Sequence, residues 1–523
     1  MNSADMILIN GNILTMDDSN SRAEAVAIGD GIITYVGAND GAKEYIGPHT
    51  EVIDLKWKTL VPGFIDSHVH LVQTGLNTLG IDLSSAANIS QCLSLLKKGI
   101  ENSPKDTVVW GIGLEEIKLK EKRFPTRYEL DAVAPDRPLF VSRIEYHTIS
   151  VNSYTLHLLN LPFNLDGMIK DSNGLPTGLL CRHASSMARK KLFEMMTGMI
   201  QKGVKKAVNN AISRGITTIV AMEGGFMFHD QHAEHLIDFK SSLPVDIEVF
   251  YQTTNVDKVI KKGLKRIGGC IFIDGSFGSR TAALSEPYWD DKQNMGRLYF
   301  GQEEIDSFVS SAHKSGLQIA VHAIGDRAIE QILSSYEKVL EQYPAGDHRH
   351  RIEHFEIPTA EQINRAARLG LILSMQPAYE YFWGGEGRMY DVRLGPDRRK
   401  RTNPLKTLLN KGLTIAGGSD SDVTPMDPLL GIHGAVNHPN PEERISPYEA
   451  LKMFTINGAK GVFQEDIKGS IEVNKYADLV LLNASPLDVD AENIKEIEVE
   501  LTIKEGNILF SGKRHQDLLE GEL

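Results

Sequence analysis

Between residues 5 and 54 the chain alternates short β-branched runs with turn signals, in DMILINGNILTM, AEAVAIGDGIITYVG and EVIDL. Asn-Gly, Gly-Asp-Gly and Gly-Pro corners separate strands there, with almost no helical pattern. Residues 469–512 repeat the texture in GSIEVNKYADLVLLN and EIEVELTIKEGNILFSG. Two β-rich ends around a different middle predict one small β-sandwich domain built from residues 1–60 and 465–523. Across 61–464, apolar strand-like runs alternate with amphipathic helix patterns, as in a parallel α/β fold. The runs are 64–70, 217–222, 247–251, 269–274, 318–323, 351–355, 371–376 and 414–420, with helices at 305–314, 327–342 and 360–369. Eight strands with interleaved helices predict a TIM-like (β/α)8 barrel, whose chemistry gathers at the C-terminal ends of its strands. A doubly wound sheet is the structural alternative.

Two stretches exceed a simple strand–helix repeat. Residues 74–202 hold two further strand patterns, TVVWGIGL and RPLFVSRIEYH, and a helix at 90–100. They read as an insertion between barrel strands one and two, placed over the strand-end face where such loops shape substrate pockets. Residues 377–404 mix aromatics, glycines and arginines after strand seven, as a mobile lid or an exposed loop would.

Composition narrows the class. Over 523 residues, 41% are hydrophobic and 24% charged, which is ordinary for a globular enzyme. A formal charge of -13 argues against nucleic-acid or anionic-membrane binding, since both reward basic patches. The partner expected is a small molecule, with a homodimer as the default assembly. The first residues lack a signal-peptide pattern, and no apolar run reaches bilayer-spanning length. The three cysteines, Cys92, Cys181 and Cys270, are too scattered for a disulfide framework. Together these features predict a cytoplasmic protein.

The chemistry is concentrated where apolar runs are interrupted. In LVPGFIDSHVHL, His68 and His70 sit two apart on a strand, so both face one cavity, with Asp66 on the same side. Such a pair also arises by coincidence, and the rest of the chain must decide. Three more exceptions follow: His322 in QIAVHAIGDRA, His354 in RIEHFEI and Asp420 in TIAGGSDSD. Four imidazoles and a carboxylate on strands one, five, six and eight can hold one or two divalent ions and leave a position for water.

These segments, with LDAVAPDRPLFVSRIEYHTISVNS, DGSFGSRTAALSEPY, GGSDSDVTPMDPLLGIHGAV and GSIEVNKYADLVLL, resemble the amidohydrolase superfamily over nearly the whole chain. The resemblance is to its YtcJ-like or N-substituted-formamide-deformylase-like branch. It implies a metal-binding TIM-like barrel with a small β-sandwich. His68, His70, His322 and His354 would be metal ligands, most readily for zinc, and Asp420 a ligand that also shuttles protons. The implied activity is hydrolysis of a non-peptide carbon–nitrogen bond, in a substituted formamide or cyclic amide. A ring-amine deaminase using one metal is the chemical alternative. A non-catalytic scaffold would be expected to have lost these ligands.

One position departs from the branch. Many members carry a lysine four residues before the Asp-Gly of DGS, and its carboxylated form bridges two metals. Here Cys270 stands there, in GGCIFIDGS. A thiolate suits zinc and could bridge or bind one ion. The alternative is a small buried hydrophobe beside a single-metal site. By the same resemblance, His147 is a candidate for substrate contact; Arg280, on the glycine-rich turn after strand four, could bind a substrate carboxylate or carbonyl or equally form a structural ion pair. Gln376 on strand seven is expected to face the pocket, while Asp274 and Asp326 hold loops and ligands. His229, His232 and His235 in FHDQHAEHL have helical spacing and read as a solvated face rather than a metal site.

Overall fold

In the computed structural model the described residues are 3–101, 103–104, 107–143, 148–225 and 228–512. Eight parallel strands follow one another around a sheet in sequence order. They are β1 Phe64–Val69, β2 Ile216–Glu223, β3 Asp246–Tyr251, β4 Arg266–Ile267, β5 Gln318–Ala323, β6 Arg351–His354, β7 Ile372–Met375 and β8 Thr414–Gly417. The sheet closes on itself: Val69 bridges Ser421, Asp420 N–H donates to His68 O at 2.8 Å, and His70 N–H donates to Ser421 O at 2.6 Å. Closure makes this a barrel and removes the doubly wound alternative. Helices Gln302–Lys314, Asp326–Gln342 and Ala360–Arg368 cover the expected ranges to within a few residues. Ile65, Val220, Met222, Phe250 and Ala320 fill one part of its core.

The fourth strand departs from the pattern. Its run of apolar residues predicts a strand at 269–274, but pairing ends at Ile267 and resumes only as a single bridge from Phe272 to His322. Gly268 (φ +93°) and Gly269 (φ +62°) turn the backbone into the left-handed region, where side chains are disfavoured. A Cβ on Gly268 would lie 2.1 Å from Ala320 O. The bend carries Cys270 into the barrel mouth.

The chain ends form two packed sheets. One orders Ile32–Gly37, Ala25–Gly29, Met6–Ile9 and Glu51–Asp54; the other orders Asn507–Ser511, Val499–Lys504, Leu479–Leu482, Thr59–Pro62, Asn12–Leu14 and Arg22–Ala23. Leu8, Val26, Ile33, Leu60, Leu481 and Leu501 share one core between them, as alternating inward residues of a sandwich do. Strand Thr59–Pro62 runs directly into β1 through Gly63, where a Cβ would fall 2.3 Å from Thr217 Oγ1.

A second compact unit comprises Val72–Ala207 and Phe228–Leu236. It holds its own six-stranded sheet, from Met168–Lys170 to Ile81–Asp82, over a core that includes Cys92, Leu96, Val109, Leu130 and Val141. Residues 377–404 are not one open loop. They form helices Ala378–Trp383 and Met389–Leu394. Tyr379, Tyr390 and Leu394 pack there with Phe277, Tyr288, Ile324 and Ile357. Among the described residues no helix is long and apolar enough to cross a membrane.

Candidate metal centre

The ends of β1, β5, β6 and β8, with the bend after β4, bring His68, His70, Cys270, His322, His354 and Asp420 into one buried cluster. The ligand atoms of His68, His70 and Asp420 lie within 4.8 Å of one another, and so do those of His68, Cys270 and His354. Asp420 Oδ1 is 3.2 Å from His68 Nε2 and 3.2 Å from His70 Nε2. Cys270 Sγ is 3.7 Å from His322 Nδ1 and 4.0 Å from His354 Nε2.

Each imidazole is oriented from behind by an acceptor, which decides which nitrogen faces the cluster. His68 Nδ1–H donates to Glu353 Oε2 at 2.7 Å, His70 Nδ1–H to Met222 O at 3.1 Å, and His354 Nδ1–H to Gln376 Oε1 at 2.7 Å. His322 reverses the arrangement, donating Nε2–H to Gly275 O at 3.1 Å and turning Nδ1 inward. Gln376 therefore does not open onto free space; it fixes His354. His354 (φ +75°) and Asp420 (φ +52°) are both held in the left-handed region, a strain of about 1–3 kcal/mol each that their surroundings sustain.

The arrangement of donors favours positive charge at the cluster. His68 Nε2 and Asp420 Oδ1 are buried, 3.2 Å apart, and neither has a hydrogen-bond partner among the described residues. With Nδ1–H given to Glu353, two lone pairs face each other. Positive charge satisfies that pairing, carried either by a proton on the imidazole or by a metal cation. The donor set therefore fits a divalent ion, imidazole nitrogen and thiolate being suited to zinc. The titration of the cluster points the same way. Burial alone would lower His68 and His70, but Asp420 beside them holds both well above the usual histidine range. Burial would raise Cys270, yet the four surrounding imidazoles hold its thiol well below the ordinary value. Asp420, despite burial, is held well below the carboxylate range chiefly by His68.

Behind the cluster lies a charged pair that the sequence patterns did not single out. Glu353 receives Arg351 Nε and Nη2 at 2.8 and 2.9 Å, and Arg351 Nη2 also donates to Ser67 O at 2.8 Å. The guanidinium sits 4.7 Å over the Phe250 ring. Burial works against the Glu353 carboxylate, but Arg351 keeps it below its ordinary range. Opposite charges two apart on a buried strand, as in RIEH, were the available signal. Tyr379 is a second omission: its hydroxyl donates to Asp420 Oδ2, and its ring lies parallel to His354 at 6.2 Å. It arises from a segment whose helices were not legible.

The remaining candidates separate. Asp66 Oδ1 accepts Ser419 N–H at 2.8 Å and His68 N–H at 3.3 Å, which ties β1 to the turn carrying Asp420. Asp274 accepts N–H groups of Ala283, Ile324 and Gly325 at 2.8–3.0 Å, and Asp326 accepts Ser285 N–H at 2.8 Å; both hold loops. Arg280 is not drawn into the cluster's contacts; Asp290 holds its guanidinium through two bonds of 3.1 and 2.8 Å. His147 lies outside the described residues. His229 precedes the helix Asp230–Phe239 that carries His232 and His235, and the three do not form a uniform solvated face. His229 accepts Gln231 N–H at 3.2 Å, and His235 Nδ1 meets Gln231 O at 2.9 Å. His232 is fully buried against the rings of Phe193 and Phe228 with no hydrogen-bond partner among the described residues.

Comparison with known proteins places this geometry in context. Residues 51–510 match the model of the amidohydrolase family. The chain is 32% identical over 529 residues to the putative amidohydrolase YtcJ of Bacillus subtilis, covering 96% of this chain and 98% of that protein. It is 28% identical over 542 residues to an N-substituted formamide deformylase of Arthrobacter pascens, covering 97% and 98%. Among solved structures, an uncharacterised metal-dependent hydrolase of Pyrococcus furiosus superposes with a TM-score of 0.79 at 29% identity, covering 92% of this chain and all of that one.

Proposed function

The chain belongs to the amidohydrolase family, and from that premise we propose that it is a metal-dependent hydrolase of a non-peptide carbon–nitrogen bond in a small molecule, a substituted formamide or cyclic amide. The observation that carries the reading is the facing pair of His68 Nε2 and Asp420 Oδ1, buried and without hydrogen-bond partners among the described residues. His68, His70 and Asp420 would hold one divalent ion, most readily zinc. Cys270, His322 and His354, gathered beside them, would supply further donors, the thiolate among them. When bound, such an ion supplies Lewis acidity and lowers the pKa of a water toward neutrality. The full-length kinship with the formamide deformylase supports the substrate class.

The chain's own residues supply the rest. Asp420, the carboxylate of the cluster, would take a proton from water and deliver it to the departing nitrogen, which must be protonated to leave. Glu353, Met222 O, Gln376 and Gly275 O keep the four imidazoles turned toward the cluster. The test is metal analysis of the purified protein, followed by a panel of formamides, cyclic imides and amino-azines. Zinc bound at one or two equivalents and turnover of an amide are expected. Asp420→Asn should lower kcat by about 10²–10⁴-fold; parental turnover in that variant would sink the proton-shuttle role. Turnover confined to amino-azines would favour the deaminase alternative.

A further inference from the structure

Asp420 presents its two oxygens to different partners. Oδ1 faces His68 Nε2 and His70 Nε2, each at 3.2 Å, whereas Oδ2 accepts the Tyr379 hydroxyl. A carboxylate turns about one soft torsion, and terminal sp³–sp² torsions are broad, so nothing intrinsic to Asp420 selects this orientation. The donors around it do. Tyr379 itself has little freedom: it is 6% exposed, packs with Ile324, Ile357 and Tyr390, and lies parallel to His354. Its helix, Ala378–Trp383, is tied down one residue later, where buried Glu380 accepts Thr402 Oγ1–H at 2.6 Å and Asn403 Nδ2–H at 2.9 Å. A rigid phenol thus meets one oxygen of a carboxylate whose other oxygen completes the donor cluster.

We propose that Tyr379 is a positioning residue for Asp420: its hydroxyl pins Oδ2, so that Oδ1 alone is offered to the metal beside His68 and His70. The inference rests on the metal reading above. Groups that orient ligands from behind change metal affinity by about 10–100-fold when removed. Tyr379→Phe deletes the donor and keeps the ring against His354. It should weaken zinc binding by about 10–100-fold, read by competition with a chromophoric chelator. The melting temperature of the metal-free protein should stay near the parental value.

A double-mutant cycle separates positioning from packing. Asp420→Ala should itself weaken zinc binding, and adding Tyr379→Phe to it should cost nothing more. If Tyr379→Phe binds zinc as the parent does, while Asp420→Ala does not, the positioning role is overturned and the metal reading stands. An equal further loss in the Asp420→Ala background overturns it as well, because the phenol would then act through packing. A parent that binds no zinc, or an Asp420→Ala variant that binds it normally, overturns both the metal reading and this inference.

Discussion

At the scale of single residues, the cluster is governed by what stands behind each ligand. Glu353 is the clearest case, because one carboxylate both receives His68 Nδ1–H and neutralises Arg351 in a fully buried pair. Glu353→Gln keeps a similar shape but strands the Arg351 charge, and losing one partner of a buried pair costs about 3–5 kcal/mol. Urea unfolding of the metal-free variant should show that loss, and chelator competition should show weaker zinc binding. A variant as stable as the parent would mean that water reaches Arg351. The histidines were legible because each interrupts an apolar run at a strand end. Glu353 was not, since a charged residue beside a histidine reads equally well as an exposed ion pair until burial is known.

At the scale of elements, the bend after β4 decides whether Cys270 takes part. Gly268→Ala should place a Cβ against Ala320 O in a backbone region costly to any side chain. We expect a loss of about 3 kcal/mol or more in urea unfolding, with reduced zinc stoichiometry. Gly263→Ala is the control: its φ is also positive (+69°), but nothing lies within 4 Å of the added Cβ, so only about 1 kcal/mol should be lost. Seven of the eight strands could be read from apolar runs because barrel strands are buried on both faces. The fourth could not be placed, because GGCIFID is apolar enough to pass for a strand while its two glycines bend the chain away. The real pairing falls on Arg266–Ile267, where a charged residue conceals it. The helices of 377–404 were hidden in the same way, by a composition of glycine, arginine and aromatics that resembles a loop.

At the scale of the whole molecule, the two compact units answer to different variables. The His–Cys–Asp cluster belongs to the first; the second buries His232, whose surroundings of Phe193 and Phe228 push its pKa down to about 3. The folded value lies below the ordinary 6.5, so the unfolded chain takes the proton first. The contribution is complete above about pH 6.5 and is lost as pH falls from there toward 3. His232→Phe removes that proton and suits an aromatic site. Between pH 7.5 and 5 the variant should lose about 2 kcal/mol less stability than the parent, measured by urea unfolding at each pH. Identical pH dependence in the two proteins would show that His232 is solvated in the fold.

The seam where the barrel closes has a consequence for synthesis. His68 and His70 emerge from the ribosome early, but the Asp420 that meets them, and the Ser421 that zips the last strand to the first, come about 350 residues later. At about 5–20 residues per second, the nascent chain carries an unfinished donor cluster for tens of seconds. A chain that stalls before Asp420 can never assemble the complete donor set, so the full set and the closed seam of the barrel arise together.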